Sequence, residues 1–117
     1  MDPIVLDAPV DLATETASQL FLGRDHGGIG MSFFMNHTAP GGGVRAHRHP
    51  YPEVFVVHDG EATFTVDGTD YAGRGGHVIV VPAGAAHGFR NTGAGTLEMT
   101  SIHVAAGMET EWIDAPS

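Results

Sequence analysis

The sequence contains neither cysteine nor lysine. Without thiols there can be no thiolate zinc site, no disulfide framework and no cysteine nucleophile, and the redox compartment is left open. Without lysine no lysine Schiff base can form, and an anionic substrate must be met by guanidinium or by a metal ion. Positive charge is scarce altogether: five arginines stand against fourteen acidic residues, for a formal charge of −9. Such a chain repels the phosphate backbone that supplies most nucleic-acid affinity, so no nucleic-acid partner is expected and the acidity reads as solubility. No apolar run approaches the ~20 residues of a membrane span. The start, Met1-Asp2-Pro3, lacks the basic region and apolar stretch of a signal peptide, so the expectation is a cytoplasmic protein with no membrane partner.

What the chain does have is glycine, 17 in 117 residues, placed between short runs rich in Val, Phe, Thr and Ile. The length predicts one domain over residues 1–117, with roughly two thirds of the unfolded surface buried on folding. Strands are expected over Met31 to His37, Glu53 to His58, Ala62 to Val66, His77 to Val81, His87 to Arg90 and Leu97 to Val104. Glycine-bearing turns separate them, a pattern that reads as an all-β sandwich or barrel. Between Gly60 and Gly76 the pattern is a hairpin, with Ala62, Phe64 and Val66 on one face and Asp67-Gly68 as its turn dipeptide. The one helical candidate, Asp11 to Leu20, has only a weak apolar stripe. No repeat, low-complexity tract or linker is present.

Histidine carries the chemistry. His47 and His49 are one residue apart, so on a pleated strand they share a face and can bring both imidazoles to one ion. Glu53 follows beyond the bend Pro50-Tyr51-Pro52, and His87 follows the turn-forming Pro82-Ala83-Gly84. Both would have to fold back to complete a shell of three nitrogens and one carboxylate oxygen. Such a shell, without sulfur, suits one divalent transition metal ion among Fe, Mn, Ni, Cu, Co and Zn, and affinity order alone does not select between them.

Two segments resemble a known family. Gly41-x5-His47-x-His49-x3-Glu53-x6-Gly60 is similar to the first cupin motif, and Gly76-x5-Pro82-x-Gly84-x2-His87-x3-Asn91 to the second. Together the motifs, 41–60 and 76–91, span a little under half of the sequence. The resemblance implies a small single-domain cupin, a jelly-roll β-barrel or double-stranded β-helix, with His47, His49, Glu53 and His87 as metal ligands. The apolar islands Ile4-Val5-Leu6 and Trp112-Ile113 are costly to leave in water, and the resemblance implies a homodimer that pairs terminal segments, with packing inside the chain as the alternative. It leaves the reaction open, because the fold hosts many chemistries. One position departs from the family pattern: His77 stands where an aspartate commonly follows the first glycine of the second motif.

Around that shell, Arg45 lies two residues before His47 and on a regular strand would point to the same side, where it could pair a substrate carboxylate. His37 and His103 each end a strand expected in the pocket wall and become acid–base candidates wherever they reach inward. Phe55 and Phe89 are expected to line the interior. Tyr51 is expected to hold the bend, with a secondary role near a bound anion, while His58 should face outward. The functional expectation is a metal-dependent protein acting on a small oxygen-bearing organic molecule by inner-sphere coordination, foremost as an oxygenase, which makes a metal-dependent dioxygenase the enzyme reading. The alternatives are a non-catalytic metal- or small-molecule-binding module and a redox-neutral isomerase or lyase.

Overall fold

The computed structural model describes residues 2–15 and 17–113, with only the backbone of residue 15. Its strands are β1 (Ala13–Glu15), β2 (Ser18–Phe21), β3 (Ser32–Thr38), β4 (Gly43–Arg48), β5 (Glu53–Asp59), β6 (Glu61–Val66), β7 (Thr69–Arg74), β8 (Val78–Val81), β9 (His87–Asn91), β10 (Leu97–His103) and β11 (Glu111–Trp112). They form two antiparallel sheets, one in the order β1-β2-β3-β10-β5-β8 and the other β11-β4-β9-β6-β7. This is the jelly-roll arrangement expected from the short, glycine-punctuated strands. Among the described residues no helix is long and apolar enough to cross a membrane.

Asp11 to Leu20 does not form a helix. A single helical turn, α1 (Ala8–Asp11), with Pro9 in its first positions, precedes the β1–β2 hairpin, in which Ala13 lies opposite Leu20. Proline is at ease in a first helical turn, and an apolar stripe interrupted by Thr14 and Ser18 buries too little to hold a helix together. The β6–β7 hairpin forms as its sequence predicts: Val66 pairs with Thr69 across Asp67 and Gly68, whose φ values of 48° and 82° are those of a turn with two left-handed residues.

Alternation along the strands sets the core. Phe55 and Val57 from β5, Val81 from β8, Leu97 and Met99 from β10, Ala62 and Phe64 from β6, and Phe89 from β9 interlock between the sheets. The rings of Phe55, Phe64 and Phe89 lie 5.1 to 6.1 Å apart, in the range favoured for aromatic pairs. The outer face of the six-stranded sheet is apolar too. Register places Phe33 beside Ile102, Ile102 beside Val54 and Val54 beside Val80, with Val78 and Val80 at 60 % and 64 % exposure.

One irregularity shapes the ligand end. Val44 pairs with Phe89 and His47 with His87, so β4 spends three residues where β9 spends two. That extra residue is a bulge, and it has room only because position 88 is glycine. A Cβ at Gly88 would lie 2.6 Å from the Val44 carbonyl oxygen and 3.1 Å from the carbonyl carbon of Arg45. Gly88→Ala is therefore expected to destabilise the protein by about 1–3 kcal/mol, the range for overpacking a filled site, and to disturb the His47–His87 pairing. Gly95→Ala, whose Cβ would meet nothing within 4 Å, should stay within about 0.5 kcal/mol. Urea unfolding of both variants against the wild type measures the difference.

Candidate metal centre

The ladders that build the two sheets also assemble the site. His47 on β4 lies opposite His87 at the start of β9, and Glu53 at the start of β5 lies opposite His103 at the end of β10. His49 follows β4 by one residue and shares the inward face of His47, as alternation requires. Thus His47, His49, Glu53 and His87 are all buried, with one ligand atom from each within 4.8 Å of the others. They could hold one metal ion.

The protons support that fit. His47 donates Nδ1–H to the Arg45 carbonyl at 2.7 Å, His49 to the Glu109 carbonyl at 2.8 Å and His87 to the Ala85 carbonyl at 2.9 Å. A carbonyl only accepts, so each Nδ1 carries the proton, and in the neutral ring Nε2 is left as a lone pair. Backbone partners of this kind commonly orient metal-ligating imidazoles. His49 Nε2 is 3.1 Å from Glu53 Oε1 yet is buried without a hydrogen-bond partner. A lone pair facing a carboxylate is repulsive unless a cation lies between them, and this is the strongest sign that the donor set fits a metal.

The charges in this cluster are tightly coupled. Burial pushes the Glu53 carboxyl up, but the imidazoles around it, His103 first, outweigh burial and hold it well below the usual carboxylate range. Burial pushes His87 down, yet its 2.8 Å hydrogen bond to Glu53 Oε1 prevails and raises it. For His47 burial wins and the imidazole is lowered.

His103 joins the cluster, buried, with Nε2 3.2 Å from Glu53 Oε2. The Tyr51 hydroxyl lies 2.9 Å from His103 Nδ1 and accepts the Glu109 N–H at 3.3 Å. The carboxylate can only accept, so the network assigns a run of donors from Tyr51 O–H to His103 Nδ1 and from His103 Nε2–H to Glu53 Oε2. Glu53 therefore turns one oxygen to His103 and the other to the imidazoles of His49 and His87.

Two other site candidates are not brought here. His37 is exposed on the outer face, where it contacts Glu98 and Gln19. The inward residues of β3 are Ser32, Phe34, Asn36 and Thr38, so His37 has the opposite parity. Arg45 occupies the β4 bulge, which removes the two-residue relation to His47, and its guanidinium stacks 4.5 Å over the Trp112 ring. Phe55 and Phe89 line the cavity beside the cluster, as expected. His58 faces outward and contacts the Thr100 hydroxyl, and His77 Nδ1 accepts the Arg74 N–H, a turn bond that needs an acceptor at this position.

The sequence reading missed Asn36, Ser101, Met108 and Trp112, which also border the cavity of about 560 Å³ in front of the cluster. Ser101 was legible, since it is two residues before His103 on the same strand. Trp112 had an apolar signal that pointed to assembly. Within the chain it pairs as β11 opposite His47, with the two rings 5.2 Å apart, and stays half exposed.

Comparison with known proteins agrees with this geometry. The Cupin_2 family model, described as a cupin domain, matches residues 34–103. No curated protein matches the sequence. Among solved structures, the Schizosaccharomyces pombe Cnp3 cupin domain superposes with a TM-score of 0.62 at 17% identity, over 65% of this chain and 56% of that one. A Klebsiella pneumoniae protein with a double-stranded beta-helix domain gives 0.68 at 19% identity, over 90% and 78%. Bacillus subtilis oxalate decarboxylase, a protein with Mn(II) centres, gives 0.73 at 19% identity, over 87% of this chain but 29% of its own. The chain thus spans about half of the yeast domain's length and under a third of the decarboxylase's, and at these identities the likeness is one of fold. The family match takes in β3 through β10, including every member of the four-residue cluster, and on that basis the chain belongs to the Cupin_2 family of cupin domains.

Proposed function

We propose that this chain is a metal-dependent cupin that binds a small oxygen-bearing organic molecule at an ion held by His47, His49, Glu53 and His87, and that it acts as an oxygenase. The observation that carries the proposal is the buried Nε2 of His49, unpartnered and 3.1 Å from a carboxylate oxygen. A bound ion would supply Lewis acidity and, with iron, manganese, nickel or copper, a route for electrons to dioxygen.

The chain's own residues do the rest. Carbonyls of Arg45, Ala85 and Glu109 fix the three imidazoles, and Phe55 and Phe89 wall the cavity against water. His103 grips Glu53 Oε2 and so would leave Oε1, on the side of His49 and His87, as the carboxylate oxygen available to help hold an ion. With Tyr51 behind it, His103 is also the nearest group that can hold or return a proton beside the cavity. The manganese of the decarboxylase neighbour makes Mn a natural first ion to test, alongside iron.

Protein purified without added metal should contain close to one transition-metal ion per chain by elemental analysis. Glu53→Ala should abolish this, and His103→Ala should weaken affinity by about 10–100-fold, the range for partners that orient a ligand. Metal content unchanged in Glu53→Ala would remove the carboxylate from the shell.

Affinity should depend on pH. His87 is raised, so its bond to Glu53 keeps an Nε2 proton that the ion must displace, whereas His47 is lowered and gives up none near neutrality. Apparent affinity should therefore rise with pH by about tenfold per unit until His87 loses its proton in the apo-protein, then level off. Competition titration between pH 6 and 9 checks the sign, and an affinity independent of pH over that range would contradict it.

Loaded with iron or manganese, the protein should consume dioxygen with an oxygen-chelating substrate in a polarographic assay. Turnover of such a substrate without oxygen uptake, and equally with zinc, would favour the redox-neutral isomerase or lyase reading.

A further inference from the structure

The chain after β10 is tied first to the body of the fold and then to the cluster. As far as Ala106 its bonds go to the body: Val104 N–H to the Pro52 carbonyl at 3.2 Å, Ser32 Oγ–H to the Ala105 carbonyl at 2.9 Å and Arg24 N–H to the Ala106 carbonyl at 2.8 Å. Beyond it, Glu109 N–H meets the Tyr51 hydroxyl at 3.3 Å, β11 pairs two residues with β4, and Ile113 N–H reaches the Ala46 carbonyl at 3.1 Å. No side chain between Val104 and Ile113 is buried. Met108, Thr110 and Trp112 border the cavity in front of the cluster, whereas Glu109 and Glu111, of opposite parity, border a second hollow of about 340 Å³. His49 and Thr110 border both, so the segment is a partition one chain thick. A stretch with no buried side chain and space on either side opens at small cost.

One of its ties runs to a ligand. His49 donates Nδ1–H to the Glu109 carbonyl at 2.8 Å, and the hydroxyls of Tyr51 and Thr110 each lie 3.3 Å from the same nitrogen. A carbonyl only accepts, while a hydroxyl donates or accepts. The ring, neutral throughout, thus has two arrangements. With its proton on Nδ1 it holds the Glu109 carbonyl and leaves Nε2 for an ion. With its proton on Nε2 it donates to Glu53 Oε1, 3.1 Å away, and Nδ1 accepts from a hydroxyl. The Glu109 carbonyl then faces a lone pair and is pushed off. An ion on Nε2 permits only the first arrangement.

We propose that residues 107–113 form a strap that the ion closes: a metal ion on His49 Nε2 locks the Glu109 carbonyl onto Nδ1 and shuts the cavity, and loss of the ion releases the strap. This rests on the metal reading above and adds a regulation of the same site. The two arrangements bind the ion differently, which is what a ligand needs to shift a conformational equilibrium. Coupling of this kind is reciprocal, so whatever loosens the strap weakens the ion by a comparable factor. A small molecule is then enclosed over a centre that carries its ion and released from one that does not.

The test compares the full chain freed of metal by a chelator with the same protein carrying one zinc(II) per chain, verified by elemental analysis. Amide hydrogen exchange is followed by mass spectrometry. Zinc should slow exchange over residues 107–113 by about tenfold, within the usual range of coupling between sites. Exchange in the β6–β7 hairpin, which contributes no ligand, should change by less than about twofold over the same comparison, since it opens independently of the strap. Ile113→Pro removes the N–H that ties the strap to Ala46. It touches no ligand, and it should weaken zinc by about tenfold through the reciprocal term.

Unchanged exchange over residues 107–113 in fully loaded protein overturns the strap while leaving the metal reading intact. So does equal slowing in the hairpin, which is general stabilisation, and so does a folded Ile113→Pro protein with wild-type zinc affinity. If that variant does not fold, the wild-type exchange decides alone. Failure of zinc to bind defeats the metal reading, and the strap with it.

Discussion

The centre depends on where three protons are kept. Each imidazole of His47, His49 and His87 gives its Nδ1 proton to a main-chain carbonyl that can do nothing but accept. If those carbonyls faced elsewhere, either nitrogen could carry the proton, and the cluster would satisfy itself as an ordinary buried hydrogen-bond network. Because they do not, Nε2 is the nitrogen each ring turns inward: that of His87 bonds to Glu53, but that of His49 is buried beside the same carboxylate without a partner, and the arrangement is electrostatically incomplete by itself. Main chain is a dependable choice for this purpose, since a carbonyl in a sheet or its flanking turn is held by the fold and does not titrate.

The carbonyls are set by the same register that sets the ligands. Arg45 in β4 and Ala85 in the turn that leads into β9 each lie two residues before the histidine they serve. Glu109 comes from beyond β10 and reaches His49 because β11 pairs back onto β4. Glu53 and His103 face each other across the β5–β10 ladder, so the carboxylate and the group that grips it are placed by one pairing. A slip of one residue in either ladder would turn these side chains to the other face, so the site is as well specified as the hydrophobic core beneath it.

Much of this was legible in the residues because period-two alternation is a local property. It put His47 and His49 together, sent His58 outward and brought Phe55 inside, and the typed spacing around Glu53 and His87 supplied the long-range part. Arg45 was illegible for a definite reason: the bulge is a property of two strands, and only the pairing with β9, with Gly88 making room, shows that the alternation breaks before His47. His37 was ambiguous because β3 is apolar on both faces, with Phe33 and Met35 outside and Phe34 inside, so hydrophobicity could not say which parity was inward. On β10 the alternation is clearer, with Leu97 and Met99 inside and Glu98 and Thr100 outside, so His103 has the inward parity, and pairing with Glu53 places it at the cluster. The β1–β2 hairpin was hidden because its strands are short and lie at a sheet edge, where propensity carries little information.

The division between shared and particular features follows the chain. Residues 34–103, the part matched by the family, contain all four members of the cluster and the strands that align them. Met108, Thr110 and Trp112, which complete the cavity, lie past that match, as do Ala17 and Ser18 before it. The C-terminal segment is tied to the shared part at three points: the Glu109 carbonyl to His49, the Glu109 N–H to the Tyr51 hydroxyl, and β11 to β4. It therefore acts on the cluster as well as on the cavity, since it fixes the tautomer of one ligand while its tryptophan and methionine shape the space in front. Part of the wall in front of the shared cluster thus comes from a segment whose own position is fixed by that cluster and by the strand that carries His47.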